Sequence, residues 1–305
     1  MAERLIFLVG PTAIGKTEVS VELAKLLNCE IISCDSMQVY KGMDIATSKP
    51  AKVLLDAVLH HMINIIEPSE EFSAALFREL AVKAMKEILA KSKSPLFVGG
   101  SGLYVKVLID GIFEGPSSDR ELRARLKAEA DEFGAEVLYK RLKDVDSETA
   151  LKVHPNDLRR ILRALEVYEK AKAPISMLKN RTHGLSENYK IKMFGLDMDR
   201  QALYKKIDER VDAMFETGLV DEARRLMGRN LSLTASQALG YKEVFGFLKG
   251  EYGFDEAKRL VKRNTRRYAK RQLTWFRKDK KIDWIIVEED SKPEEIAKGI
   301  WKRLS

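Results

Sequence analysis

The chain has 305 residues, of which 45% are hydrophobic and 33% charged, and its 54 lysines and arginines outnumber 46 acids for a formal charge of +8. That composition excludes a disordered or fibrous chain and favours a polyanionic partner, while two cysteines, Cys29 and Cys34, exclude both a disulfide framework and a CxxC zinc pair. The apolar run in MAERLIFLVGPT is too short for an export signal and no window reaches the ~18 apolar residues of a membrane span, so a cytoplasmic protein is expected.

In chain order, continuous apolar runs lie at residues 5–9, 31–33, 62–66, 96–98, 193–196 and 284–287. Unbroken rather than alternating runs predict parallel strands buried on both faces. Helical patterns separate them. After Thr17, the residues Val19, Leu23, Leu26 and Leu27 share one face; from Ser73, a predicted N-cap, so do Phe77, Leu80, Ala84 and Ile88. The alternation predicts an α/β fold with a parallel sheet flanked by helices. It stops near residue 112. Residues 117–187 read as charged and helical, with Ser118 and Glu121 as a capping box and a helix from about Asn156 that turns Leu158, Ile161, Leu162, Leu165 and Tyr168 inward. Strand-like sequence resumes at Lys190. The expected organisation is an α/β core of residues 1–116 and 188–305, ending in basic helices, with a helical insertion at 117–187. The insertion reads equally as a clamp or as extra helices.

The strongest local pattern is Gly10, Pro11, Thr12, Ala13, Ile14, Gly15, Lys16 and Thr17, which fits GxxxxGK[ST] between a predicted strand and a predicted helix. Its backbone amides and helix N-terminus can cradle an anion, Lys16 adds a full charge and the Thr17 hydroxyl can hold magnesium. The pattern specifies a polyphosphate rather than a nucleotide. It makes the sheet phosphate-loop NTPase-like, yet the strand at 96–98 runs into Gly99-Gly100-Ser101-Gly102 with no terminal acid for magnesium. Ligands of open α/β sheets bind at the carboxyl ends of strands. Asp35, Ser36, Met37 and Gln38 follow the second strand, so Asp35 and Ser101 are expected near the phosphate loop. A carboxylate there is a base, a magnesium ligand through water, or a helix N-cap.

Residues 258–281 hold twelve lysines and arginines against one acid, Asp279, with Tyr268, Trp275 and Phe276 among them. Aromatics among cations suit single-stranded nucleic acid. Tyr268 and Trp275 share a face with Val261, which places at least one of them in the core. In the insertion, Arg159, Arg160 and Arg163 cluster on one helix as a candidate phosphate clamp.

Together these stretches resemble the bacterial tRNA dimethylallyltransferases, the isopentenyl-diphosphate:tRNA isopentenyltransferases. The resemblance rests on GPTAIGKT at 10–17, DSMQVYKGMDIATSKP at 35–50, the paired histidines 60 and 61, GGSGLY at 99–104, HPND with RRILRALEVYE within 154–169, QALGYKE at 237–243 and TRRYAKRQLTWFRK at 265–278. It implies transfer of a dimethylallyl group from dimethylallyl diphosphate to the exocyclic amine of the adenosine 3′ of the tRNA anticodon, with magnesium as cofactor, in a monomer. It implies that the phosphate loop and Arg210 hold the diphosphate, that Asp35 is the general base, and that Ser101, where threonine is usual, acts at the bridging oxygen. It further implies tRNA contacts at Asp35, Ser36, Met37, Gln38, Ser101, Arg123, Arg159, Arg160, Ile161, Leu162, Arg163, Gln237, Gly240, Tyr241, Lys242, Lys270, Arg271, Gln272, Trp275 and Arg277. Three residues depart from the family pattern: Ile14 in the loop, Ala46 for glycine and Asn64 for aspartate. Rival classes are a small-molecule prenyltransferase or kinase on the same core, and a non-catalytic RNA-binding protein.

Overall fold

The computed structural model describes residues 4–113, 115–116, 119–179 and 182–304. The elements run β1 (Arg4–Val9), α1 (Lys16–Leu27), β2 (Cys29–Ser33), α2 (Lys52–Ala57), β3 (His60–His61), α3 (Ala74–Ala90), β4 (Ser94–Gly99) and α4 (Gly102–Ile109). Helices α5 (Arg120–Phe133), α6 (Ala135–Val145), α7 (Ser147–Lys152), α8 (Leu158–Ala171) and α9 (Ile175–Lys179) follow. The chain then returns to the sheet through β5 (Lys190–Asp197), α10 (Arg200–Glu216), α11 (Leu219–Met227), α12 (Leu233–Ser236), α13 (Tyr241–Leu248), α14 (Phe254–Phe276), β6 (Ile282–Ile286) and α15 (Pro293–Leu304).

The described strands form one parallel sheet of order β3-β2-β4-β1-β5-β6. Every residue of β2, and all of β1 but Arg4, is buried, as strands covered by helices on both faces require. Apolar side chains of the sheet pack with α1, α10 and α15 in one core that includes Leu8, Leu23, Leu96, Phe194, Ile207 and Ile300. The chain leaves β1 for β2 and β3, then inserts β4 between β2 and β1. The loops after β1, β4 and β2 therefore emerge side by side at one edge of the sheet, where ligands of such sheets bind.

Three local expectations are corrected. Residues 62–66 are not a strand: the ladder is confined to His60–His61, and only a bridge from Tyr40 to Ile66 continues beyond it. Met62 and Asn64 adopt positive φ, which breaks the extended run. Leu26 is 46% exposed although Val19 and Leu23 are buried, because the buried face of α1 turns through Ser20, Val21 and Ala24 instead. Ser118 lies outside the described residues, and α5 is capped by Asp119, whose carboxylate accepts from the Leu122 amide. Ser73 does cap α3, accepting from Leu76.

Contacts divide the chain into a unit of residues 1–109 and 188–305 and a unit of residues 110–187, which begins at Asp110 rather than at 117. The smaller unit has its own core of Leu126, Leu138, Leu142, Ile161, Leu165 and Val167. Among the described residues no helix is long and apolar enough to cross a membrane.

Candidate active site

Between β1 and α1 the phosphate loop curls around the Lys16 side chain, whose ammonium donates to the Pro11 carbonyl at 2.6 Å. Burial, then the Arg210 charge, pull Lys16 down to about 8, against the opposing pull of Asp35 and Glu18. Ala13 adopts a left-handed backbone with φ of 66°, a conformation that costs a non-glycine residue roughly 1–3 kcal/mol. The departure at Ile14 is 2% exposed and belongs to the core, although the residue also contributes to the lining of the cavity described below.

The β4 loop lies against this one. Its Ser101 amide donates to the Cys34 carbonyl, and its Ser101 hydroxyl accepts from the Ser36 amide at 3.2 Å. Two glycines here are forced by close approach. A Cβ on Gly100 would stand 2.1 Å from the Gln272 side-chain nitrogen, and one on Gly102 would stand 2.2 Å from the Trp275 ring.

Asp35 ends the β2 loop. No helix follows it, so the N-cap alternative is overturned: its carboxylate accepts from the amides of Met37 at 2.8 Å and Gln38 at 3.4 Å, closing a turn. Burial pushes the Asp35 carboxyl above the usual carboxylate range, opposed by these two amides and by Lys16 and Arg210. Arg210 reaches in from α10 and donates to the Thr12 hydroxyl at 3.3 Å. Gln38 holds the next loop by donating to the Ser48 carbonyl at 3.2 Å.

Two cavities meet at these groups. The first, about 500 Å³, combines the phosphate loop with Asp35, Arg210 and apolar walls from Ile31, Ile63 and Val98. The second, about 430 Å³, is lined by Met37, Gln237, Gly240, Asn264, Arg267, Tyr268 and Arg271. Thr12, Asp35, Thr47, Ser48 and Arg210 line both. Burial raises the Tyr268 phenol, which faces Ser101 and Gln272.

Residues that sequence patterns left unremarked build the walls. Glu222, 4% exposed, accepts from the Asp44 and Ile45 amides and from the Tyr241 hydroxyl, fixing the loop that carries Ala46 to Ser48. Ala46 fits against Gly240, where an added Cβ would lie 2.9 Å from its methyl group. Lys49 bonds Asp44, Asn64 and the Tyr40 carbonyl, so Asn64 supplies a neutral acceptor beside a lysine already paired with Asp44. Paired carboxylate and amide acceptors leave no sequence period, which hides them in a single chain.

The basic helix α14 is less available than its composition implies. Lys258 and Lys262 pair with Asp212, Arg266 with Asp208, Arg259 with Glu256 and Arg277 with Asp197. Arg267, Lys270 and Arg271 are exposed, and among the described residues no carboxylate pairs with them. Trp275 is 41% exposed and lies on Gly102, and Tyr268 is half-buried in the wall of the second cavity, so the expectation that one of them is core is overturned. Gln237 and Lys242 are exposed. Ile161, Tyr241 and Gln272 are at most 5% exposed. Their side chains are buried and present little or no contact area at the surface.

In the smaller unit the arginine trio is divided. Arg159 and Arg160 are exposed, the latter 3.3 Å from Asp157. Arg163 is tied to Glu166 at 2.6 Å, and the same fully buried carboxylate takes two bonds from Arg123 and one from the Asp119 amide. Leu162 is half-buried. Glu166 sits on the buried side of the amphipathic helix α8.

Residues 38–279 match the IPP transferase family and residues 3–64 the isopentenyl transferase family. The chain is 45% identical to a tRNA dimethylallyltransferase of Acetivibrio thermocellus over 98% of its own length and 96% of that protein's. It resembles the crystal structure of a tRNA isopentenylpyrophosphate transferase from Bacillus halodurans with 43% identity and a TM-score of 0.72, covering 99% and 97% of the two chains. A eukaryotic dimethylallyltransferase acting on tRNA matches with 28% identity and a TM-score of 0.79, covering 93% of this chain and 74% of the other. With matches spanning nearly its whole length, the chain belongs to the IPP transferase family, that of the tRNA dimethylallyltransferases.

Proposed function

We propose that the chain transfers the dimethylallyl group of dimethylallyl diphosphate to the exocyclic N6 amine of the adenosine 3′-adjacent to a tRNA anticodon, releasing diphosphate. The observation that carries this reading is the junction of the two cavities at Asp35, Thr12 and Arg210. One cavity offers a phosphate loop and apolar walls to a prenyl diphosphate. The other offers Tyr268, Arg267 and Arg271 to a nucleobase drawn out of its stack and to the adjoining phosphates.

The reaction breaks the bond from the prenyl C1 to the bridging oxygen and forms a bond from N6 to C1. Negative charge grows on the leaving diphosphate, where loop amides, Lys16 and Arg210 stabilise it. The Ser101 hydroxyl accepts from Ser36, so its own proton remains to donate to the bridging oxygen. The N6 proton, acidified as nitrogen becomes cationic, passes to Asp35, whose raised affinity for protons suits a base. Both cavities open to solvent, so the seated base and donor themselves would have to complete the shield that keeps water from the allylic carbon.

Among the described residues no three His, Cys, Asp or Glu side chains cluster as a protein cage for a metal. Magnesium characteristically arrives with substrate phosphates and takes only one or two protein oxygens. The residues present fit that mode: the Thr17 hydroxyl at the start of α1 would hold the ion. Bound there, it would neutralise diphosphate charge. We take the working unit to be a monomer acting on tRNA in the cytoplasm.

The test is incorporation of labelled dimethylallyl diphosphate into tRNA, AMP or ATP by the purified chain. Label in tRNA alone supports the reading. Label in AMP or ATP would instead make the chain a small-molecule prenyltransferase. Tight ATP binding without prenyl-donor binding would replace it with a kinase.

A further inference from the structure

Strands β1 and β4 are in register as far as Val9 opposite Gly99, and beyond that pair their loops have no ladder to hold them together. The gap is closed by one side chain from α14. The Gln272 carbonyl oxygen accepts from the Thr12 amide at 2.9 Å, and its NH₂ group donates to the Gly100 carbonyl at 3.0 Å. Its orientation is fixed by its partners, since an amide can only donate and a carbonyl only accept. Gln272 is 5% exposed, and the missing Cβ of Gly100 makes the room it occupies.

We propose that Gln272 is a positioning residue that sets the distance between the phosphate loop and Ser101. The proposal rests on the tRNA prenylation reading given above. Thr12 belongs to the loop that would hold the diphosphate, and Gly100 directly precedes Ser101. A diphosphate seated on one loop and a hydroxyl carried by the other must meet at the bridging oxygen. That meeting matters most when charge develops there, so the strut acts on the chemical step rather than on donor or tRNA binding. The side chain supplies a donor and an acceptor at once. An ionised glutamate supplies only acceptors and methionine supplies neither of comparable strength.

The experiment measures kcat and both KM values for Gln272→Met and Gln272→Glu, with Ser101→Ala alone and combined with Gln272→Met. Gln272→Met is expected to lower kcat roughly a hundredfold, the scale of a misplacement near 1 Å, with the KM for tRNA unchanged. Because the strut acts through Ser101, Gln272→Met should cost far less in the Ser101→Ala background; a merely structural loss would multiply in both. Gln272→Glu should regain activity relative to the wild type as the pH falls, since a protonated carboxyl again supplies one donor and one acceptor. A wild-type chain that labels tRNA, paired with a Gln272→Met variant of normal kcat, would overturn this proposal alone. So would independent, multiplying effects in the double variant, or a defect confined to the KM for tRNA. A wild-type chain that never labels tRNA overturns the function reading first, and this proposal with it.

Discussion

Two carboxylates removed from water are shifted in opposite directions, one in each unit. Asp35 accepts two amides from its own turn, and burial outweighs them, so its proton affinity rises. Glu166 accepts two bonds from Arg123, one from Arg163 and one from the Asp119 amide, and although burial pushes its carboxyl up, these partners hold it below the usual glutamate range. The number and charge of donors decides in which direction each buried carboxyl is shifted. A reactive group is left incompletely satisfied, whereas a structural one is saturated.

The largest consequence falls on Asp35. Replacing it with asparagine should lower the single-turnover rate of prenyl transfer by about 10²–10⁴, the usual contribution of a positioned base, with donor affinity little changed. The same substitution should raise the melting temperature at neutral pH. The folded Asp35 holds its proton to higher pH than the unfolded one, so its contribution to stability falls as pH rises through that window. An unchanged rate would remove the base role. A large loss of donor affinity, partly restored by magnesium, would make Asp35 a metal-associated group instead.

Lys16 extends the contrast to a cation. Its ammonium is drawn down to about 8 in the folded protein. In the proposed reaction the diphosphate meets the charged form of Lys16, so donor affinity should hold below pH 8 and then fall about tenfold per pH unit above it. Titration calorimetry across that range measures the slope. A flat profile would place the binding charge elsewhere in the loop, and Lys16→Met should then leave affinity intact.

For Glu166 the expected loss is in stability. Glu166→Gln keeps the shape but removes the charge that three partners share, at a cost of about 2 kcal/mol. The folded carboxyl lies below its unfolded value, so its stabilisation is full above the ordinary glutamate range and fades as pH falls through the lowered folded value. Thermal melts of wild type and variant should therefore separate at neutral pH and converge in acid. Equal melting temperatures at pH 7 would show that the arginines stabilise the unit without their shared anion.

Much of this architecture was legible in the sequence. Unbroken apolar runs located five of the six strands; four of these are strands whose apolar runs are buried between helices and carry no polar alternation, whereas β6 is a half-exposed edge strand. The phosphate loop was legible because its glycines, lysine and threonine have a fixed spacing between a strand and a helix. Asp35 and Ser101 followed from the rule that ligands gather at strand ends. What stayed hidden were pairings across long separations: Gln272 with Thr12 and Gly100, Glu222 with Asp44 and Ile45, and Asp208 and Asp212 with the cations of α14. A run of positive charge in a sequence shows neither which acids another helix will bring to it nor which of its cations remain exposed.

That hidden pairing sets the smallest and most discriminating test, on tRNA affinity. Neutralising an exposed cation that touches a phosphate should reduce the slope of log affinity against log salt by about 0.7–0.9. Lys270 and Arg271 have no carboxylate partner among the described residues, so each alanine substitution there should show that full decrement. Arg163 already bonds Glu166, and releasing it to a phosphate would remove one of the four bonds that hold a fully buried anion. Its substitution should change the slope less than that of Lys270 and lower the melting temperature more. Arg159, exposed on the same helix, separates the two effects, since its loss should alter salt dependence without altering stability. If Arg163→Ala instead removes a full phosphate's worth of slope at no cost in melting temperature, Glu166 must exchange partners when tRNA binds, and the distinction between saturated and poised carboxylates fails for the smaller unit.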